Sequence, residues 1–336
     1  MNILGIETSC DETAAAIVRD GRVVLRSAVA SQMAAHRPFR GVVPELASRA
    51  HVERLNGVIE EASGRQSIPF EAIAVTTGPG LIGSLLVGVV AARTWGWALG
   101  KPVVGINHLE AHLFAGLVEH RELRPPFLGL IVSGGHTELV IFRGYGRYQR
   151  LGATRDDAAG EAFDKVANLV RLPFPGGPSV DRAARRGDAA AIAFPRAWIP
   201  GTWDFSFSGL KTAVRNYVAS IPERQLRASV PDICASFQES VVDVLVQKTL
   251  DAAHAHRLSS IVVGGGVAAN RRLRSAFRSA GADRGLNVFL PDLQFCTDNA
   301  AMVAAAGYYK FTRSPKRWRS KLSVDANLAV ADWRLS

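Results

Sequence analysis

Asn2-Ile3-Leu4-Gly5-Ile6-Glu7-Thr8-Ser9-Cys10-Asp11-Glu12-Thr13-Ala14-Ala15-Ala16-Ile17-Val18-Arg19-Asp20-Gly21-Arg22-Val23-Val24-Leu25 opens the chain, and its punctuation decides the fold class. Three apolar runs, residues 2–6, 14–19 and 23–30, read as strands. Asp20-Gly21 between the last two is a hairpin signal, because both central positions of that tight turn need a positive φ. A helix is predicted over 44–62, with Pro44 at its first position and Leu46, Val52, Leu55, Val58 and Ile59 at helical spacing. A strand at 72–76, the turn Gly78-Pro79-Gly80, a helix from Leu81 and a strand at 103–106 follow.

The same order begins again at Phe127. Strands are predicted at 127–132, 136–142 and around Tyr148, joined first by Ser133-Gly134-Gly135. Helices follow over 161–169, 210–219 and 231–256, then a buried strand at 260–263 that runs into Gly264-Gly265-Gly266. Strand, hairpin and alternating helix and strand thus occur twice. This predicts an α/β chain of two related lobes, residues 1–122 and 123–297, with 298–336 returning to the first. The boundary falls at the polar stretch ending in Pro125-Pro126. Such a duplication fits a two-lobed actin-like (ASKHA) fold holding a ligand in a central cleft, and a plain doubly wound fold is the alternative.

Composition narrows the class further. A 48% hydrophobic and 21% charged chain of 336 residues has enough apolar surface for real cores. The longest apolar stretch, 81–99, is broken by Gly83, Gly88, Arg93 and Gly96, so no membrane span is expected. Cys10, Cys234 and Cys296 fit neither a disulfide framework nor a zinc spacing. With no signal-peptide pattern at Met1, a reduced cytoplasmic setting is expected. The net charge of +10 favours polyanionic partners or is simply a solubilising bias.

His108-Leu109-Glu110-Ala111-His112 places two imidazoles at i and i+4 on one helical face, within reach of one metal ion, although the spacing also arises by coincidence. It is not the H-E-x-x-H of zinc peptidases: Glu110 lies about 200° around the helix from His108 and points away. Gly78 to Ser84 has the outline of a phosphate loop but lacks its lysine. Gly264-Gly265-Gly266-Val267-Ala268-Ala269 reads either as a dinucleotide fingerprint or as a tight strand–helix corner. Ser133-Gly134-Gly135-His136 and Pro175-Gly176-Gly177-Pro178 are bends that could also approach a ligand. Asp298 opens a helix, where capping is its default role.

Together and in this order these motifs are specific. Gly5 to Thr13, Gly41 to Arg49, Gly78 to Leu81, His108 to His112, Ser133 to Thr137, Asp156 to Lys165, Phe205 to Lys211 and Gly265 to Asn270 resemble the bacterial tRNA N6-adenosine threonylcarbamoyltransferase (TsaD) family. The resemblance extends from Met1 to about residue 310. It implies an actin-like acyltransferase that moves a threonylcarbamoyl group from threonylcarbamoyl-AMP to N6 of adenosine 37, in tRNAs reading codons that begin with adenine. It implies His108, His112 and Asp298 as ligands of a divalent metal, iron(II) first and zinc second. It implies Ile131, Val132, Ser133, Gly134, Gly135, Asp164, Gly177, Asp181 and Asn270 as the adenylate site. The implied partners are tRNA, a TsaB-like paralogue and a TsaE-like ATPase, with no membrane. The segment from Tyr308 to Lys321 mixes cations and rings and could meet RNA, or its aromatics could pack on the first lobe. An actin-like ATPase or kinase, or a non-catalytic scaffold of the same fold, is the alternative function.

Overall fold

The structure, a computed structural model, describes residues 1–64, 68–313 and 322–333. Its elements in order are β1 (Asn2–Glu7), β2 (Glu12–Arg19), β3 (Val23–Ser31), α1 (Met33–His36), α2 (Pro44–Ser63), β4 (Ala72–Gly78), α3 (Ile82–Leu99), β5 (Val103–Asn107) and α4 (His108–Glu119). Then come β6 (Phe127–Val132), β7 (Thr137–Gly144), β8 (Arg147–Ala153), α5 (Ala159–Leu169), α6 (Gly176–Ala184), α7 (Ser208–Ser220) and α8 (Glu223–Ala255). The last are β9 (Ser260–Gly264), α9 (Arg271–Asp283), β10 (Asn287–Phe289), α10 (Leu293–Cys296) and α11 (Ala300–Arg313).

Two five-stranded sheets have the orders β3-β2-β1-β4-β5 and β8-β7-β6-β9-β10. In each, the first strand pairs antiparallel with the second and parallel with the fourth, and the fourth pairs parallel with the fifth. The duplication read in the sequence is therefore a duplication of strand order and direction. Asp20 and Gly21 turn the first hairpin with φ of 51° and 67°, in a three-residue loop closed by the Arg22 amide donating to Arg19 O, the positive φ that a tight turn between right-twisted strands favours. The chain divides into two compact units: Met1–Pro125 with Arg143–Tyr148 and Pro291–Ser336, and Pro126–Phe142 with Gln149–Leu290.

In the first unit, Leu4, Ile6, Ile17, Leu55, Ile59 and Ile73 are buried between the sheet and α2 and α3. Each such side chain contributes about 1.5–3 kcal/mol relative to exposure. The opposite face is covered by α11, whose run of Ala300, Ala301, Ala304, Ala305 and Ala306 is fully buried. Small residues let backbones approach: a Cβ on Gly5 would collide with Ala300 O and the Ala304 amide, and one on Gly307 with the Ala74 methyl.

Two local readings are corrected. Pro231 does not start its helix but lies inside α8, which begins at Glu223 after Pro222. The ring's missing N–H is one lost bond in a helix otherwise held by its buried face. Pro175 to Pro178 is not only a bend, because it runs directly into α6. The helix predicted from Leu81 is α3, Ile82–Leu99; its length and composition alone would allow a membrane span, for which one such helix is weak evidence.

Candidate functional site

Asn107 ends β5 and caps α4 by accepting from the Glu110 amide at 3.0 Å. The cap makes His108 the first helical residue and puts His112 one turn on, with ring centroids 4.8 Å apart. Sequence reasoning gave Asp298 the default role of cap for the next helix. The structure gives that role to its neighbour: Asn299 Oδ1 accepts from the Met302 amide at 3.1 Å. The Asp298 carboxylate faces the histidines instead, its Oδ1 lying 3.4 Å from His108 Nε2 and 3.2 Å from His112 Nε2. The ligating atoms of all three lie within 4.8 Å of one another.

The cluster is buried and its electrostatics are unusual. Burial pulls the His108 imidazole down, but Asp298 and Glu7 outweigh it and hold it up at about 9. Burial pushes the Glu7 carboxyl up, and His108 and Thr76 bring it below its ordinary value. Glu12 is pushed up to about 9 by burial and then by Asp11 and Asp298. Both ring nitrogens of His112 are buried without a hydrogen-bond partner. Two orphaned imidazole nitrogens beside a carboxylate, in a place crowded with further acids, fit a divalent cation. The thiols are not part of this set. Burial pushes Cys10 well up and Cys234 up to about 12, and Cys296 is buried against the Pro291 and Asp292 carbonyls.

Glu110 points away from the cluster, as its helical angle requires, but not into solvent. It is buried and accepts from Tyr148 Oη at 2.5 Å and Trp333 Nε1 at 2.6 Å. Burial pushes its pKa up against Lys310 and these two donors.

The second unit carries the other candidate residues. Ile131 and Val132 are buried at the end of β6. In the turn after them, Gly134 and Gly135 are exposed, and a Cβ on either would meet nothing within 4 Å. Gly160, one residue into α5, donates its amide to Ser133 O at 3.1 Å, and any side chain there would strike the Gly134 backbone. Asp164, one turn further, accepts from the Gly176 amide at 2.6 Å, beside open space over Gly177. Asp181 lines a cavity of about 370 Å³ with Gln238, Arg271 and Arg272. Asn270 caps α9 through Leu273 N and donates to Gln238 at 2.7 Å. Gln238 and Arg271 were not singled out from the sequence, and Gly160 was read only as part of the motif Asp156 to Lys165.

Two glycine motifs resolve into backbone packing. A Cβ on Gly265, whose φ is 95°, would strike the Val132 backbone, and one on Gly80 would lie 2.6 Å from Ser9 O. Asp156 and Asp157 tie the segment 205–211 to α5: Asp156 accepts from Ser206 Oγ and Phe207 N, and Asp157 pairs with Lys165 and Lys211.

The profile of the TsaD family, tRNA N6-adenosine threonylcarbamoyltransferase, matches residues 23–305. The chain belongs to the TsaD family. Relatives of that name include a Moorella thermoacetica protein, 52% identical across 93% of this chain and 92% of its own. A Geobacillus thermodenitrificans TsaD-family protein is 51% identical across 97% and 95%. Among solved structures, full-length HypF in its phosphate- and nucleotide-bound form superposes with a TM-score of 0.63 at 13% identity, over 92% of this chain and 46% of that one. The activator of 2-hydroxyisocaproyl-CoA dehydratase from Clostridium difficile, with bound ADPNP, gives 0.55 at 14% identity over 98% and 100%. These distant likenesses establish the fold, which is actin-like, as the TsaD-like motifs implied.

Proposed function

We propose that this chain, an acyltransferase, moves the threonylcarbamoyl group of threonylcarbamoyl-AMP to N6 of adenosine 37 in tRNAs reading codons that begin with adenine. The observation that carries the reading is the convergence of His108, His112 and Asp298 in a TsaD-family chain. An actin-like kinase or a scaffold has no use for such a set. A divalent ion held there, iron(II) by preference over zinc, supplies Lewis acidity for a carbonyl or phosphoryl oxygen.

The chain's own residues position the reactants. Ile131, Val132 and the open backbone of Ser133, Gly134 and Gly135 take the threonylcarbamoyl end, with Gly177 and Asn270 beside it. Asp164 and Asp181 take the ribose and neighbouring groups. The N6 amine attacks the carbamoyl carbon; the new C–N bond forms, the C–O bond to phosphate breaks, AMP leaves with the electron pair, and the amine loses a proton. An adenine amine is a poor nucleophile, so orientation and a polarised electrophile carry the acceleration.

The polyanionic substrate has a matching surface on α9. Arg271, Arg274, Ser275, Arg278 and Ser279 line a groove of about 520 Å³. Changing Arg274 and Arg278 to Glu is expected to weaken tRNA binding and flatten its log–log salt dependence by about 1.5; an unchanged slope in filter binding removes α9 from the interface. In the C-terminal segment Tyr309 is engaged in packing, stacking on Tyr145 at 4.1 Å and accepting from Arg22. Arg317 and Arg319 lie outside the described residues.

The TsaB-like paralogue is proposed to dock on α3. Ile82, Val90 and Trp97, 50%, 60% and 86% exposed, fall within about a quarter turn of one another. Hydrogen exchange slowed elsewhere but not over 82–97 on adding the paralogue counts against this face.

A transfer assay tests the whole reading in its cytoplasmic setting. The chain, its paralogue, the ATPase, threonylcarbamoyl-AMP and an adenine-codon tRNA are expected to yield modified adenosine 37. The product should disappear on chelation and return with iron(II) or zinc. No product with any metal, while the adenylate still binds, favours the scaffold.

A further inference from the structure

Glu7 is the last residue of β1 and is wholly buried. A carboxylate in such a place must be fully used by donors, since an unpaired buried charge costs several kcal/mol. Thr76 Oγ1, on the neighbouring β4, donates to Glu7 Oε2 at 2.6 Å, and the Ser9 amide donates to Oε1 at 2.6 Å. Both oxygens therefore act as acceptors. The remaining neighbour is His108, whose Nδ1 lies 3.2 Å from Oε2 and 3.1 Å from Ser9 Oγ. The proton in the Glu7–His108 contact belongs to the imidazole, because the carboxylate brings none. His108 Nε2, on the far edge of the ring, faces Asp298.

We propose that Glu7 is the positioning residue of the His108–His112–Asp298 cluster: it accepts the Nδ1 proton of His108, fixes the ring's tautomer and plane, and presents the Nε2 lone pair to a divalent cation. The inference rests on the reading of those three residues as ligands. It adds a carboxylate–imidazole pair behind the cluster, of the kind that raises ligand basicity and orients the ring. Thr76 and Ser9 in turn hold the carboxylate, so β1, β4 and α4 are coupled through one buried polar chain.

Glu7→Gln tests it. The amide keeps the size of the side chain but turns an N–H toward His108 Nδ1, which then has to accept and moves its proton to Nε2. Titration of the metal-free protein with cobalt(II), read by its visible absorption, is expected to show affinity weakened 10- to 100-fold and altered ligand-field bands. Imidazole ¹⁵N shifts of His108 in the metal-free protein, recorded above pH 9 where the ring held up at about 9 is neutral, are expected to report the Nδ1–H form in the parent and the Nε2–H form in the variant. Thr76→Val, which only loosens the carboxylate, keeps the test open if Glu7→Gln does not fold; it should weaken cobalt a few-fold. An Nε2–H tautomer in the parent, or variants that bind cobalt as the parent does with the same bands, overturns the proposal. A parent that binds no cobalt overturns the ligand reading instead, and the ¹⁵N shifts still decide what Glu7 does.

Discussion

His112→Ala is expected to lower kcat/KM for threonylcarbamoyl transfer by roughly 10³-fold, a loss of about 4 kcal/mol of transition-state stabilisation. The size of the effect follows from the burial of the site. His112 is wholly inaccessible, and among the described residues neither ring nitrogen has a hydrogen-bond partner. Its Nε2 lies 3.2 Å from Asp298 Oδ1, so its replacement removes a donor for a cation and leaves a cavity beside that carboxylate. The same variant should hold substoichiometric iron or zinc by elemental analysis while still binding threonylcarbamoyl-AMP through its proposed contacts at residues 131–135, Asp164 and Asp181. Retained metal together with retained turnover would remove His112 from the ligand set.

Gly5→Val is expected to destabilise the fold strongly, with a loss of about 3 kcal/mol or more in denaturant unfolding. The added side chain meets the Ala300 carbonyl and the Ala304 amide, backbone atoms of α11 that have no rotamer to change. Relief requires α11 to lift from β1, and Asp298 sits two residues before that helix. Any folded fraction should therefore also bind metal less tightly. Gly134→Ala, where a Cβ meets nothing within 4 Å, serves as the comparison and should leave stability nearly unchanged.

The fold was legible because its information is local. Asp20-Gly21, Ser133-Gly134-Gly135 and the helix-forming stretches after each hairpin all act within a few residues; register was not legible, because strands buried on both faces carry no alternation to fix it. The two histidines were legible for the same reason, being one helical turn apart. Asp298 was harder: nothing in Cys296-Thr297-Asp298-Asn299 says which of two adjacent side chains caps α11, and the answer depends on α4. Glu7 was harder still. An acidic residue ending an apolar strand is a signal of something buried, but its partner is a histidine about a hundred positions away. Pro231 misled because a proline's local preference was outweighed by the burial of the helix it interrupts.

The first unit is built from the beginning and the end of the chain, and this has a consequence for its birth on the ribosome. Its first strand and both histidines emerge early, whereas α11 and Asp298 arrive only after the entire second unit has been made. At bacterial elongation rates that delay is on the order of ten seconds. Throughout it, the face of β1 and β4 that α11 later seals lies open. On the proposed ligand reading, metal loading is thereby postponed until the second unit has been made, because the third ligand is synthesised after it.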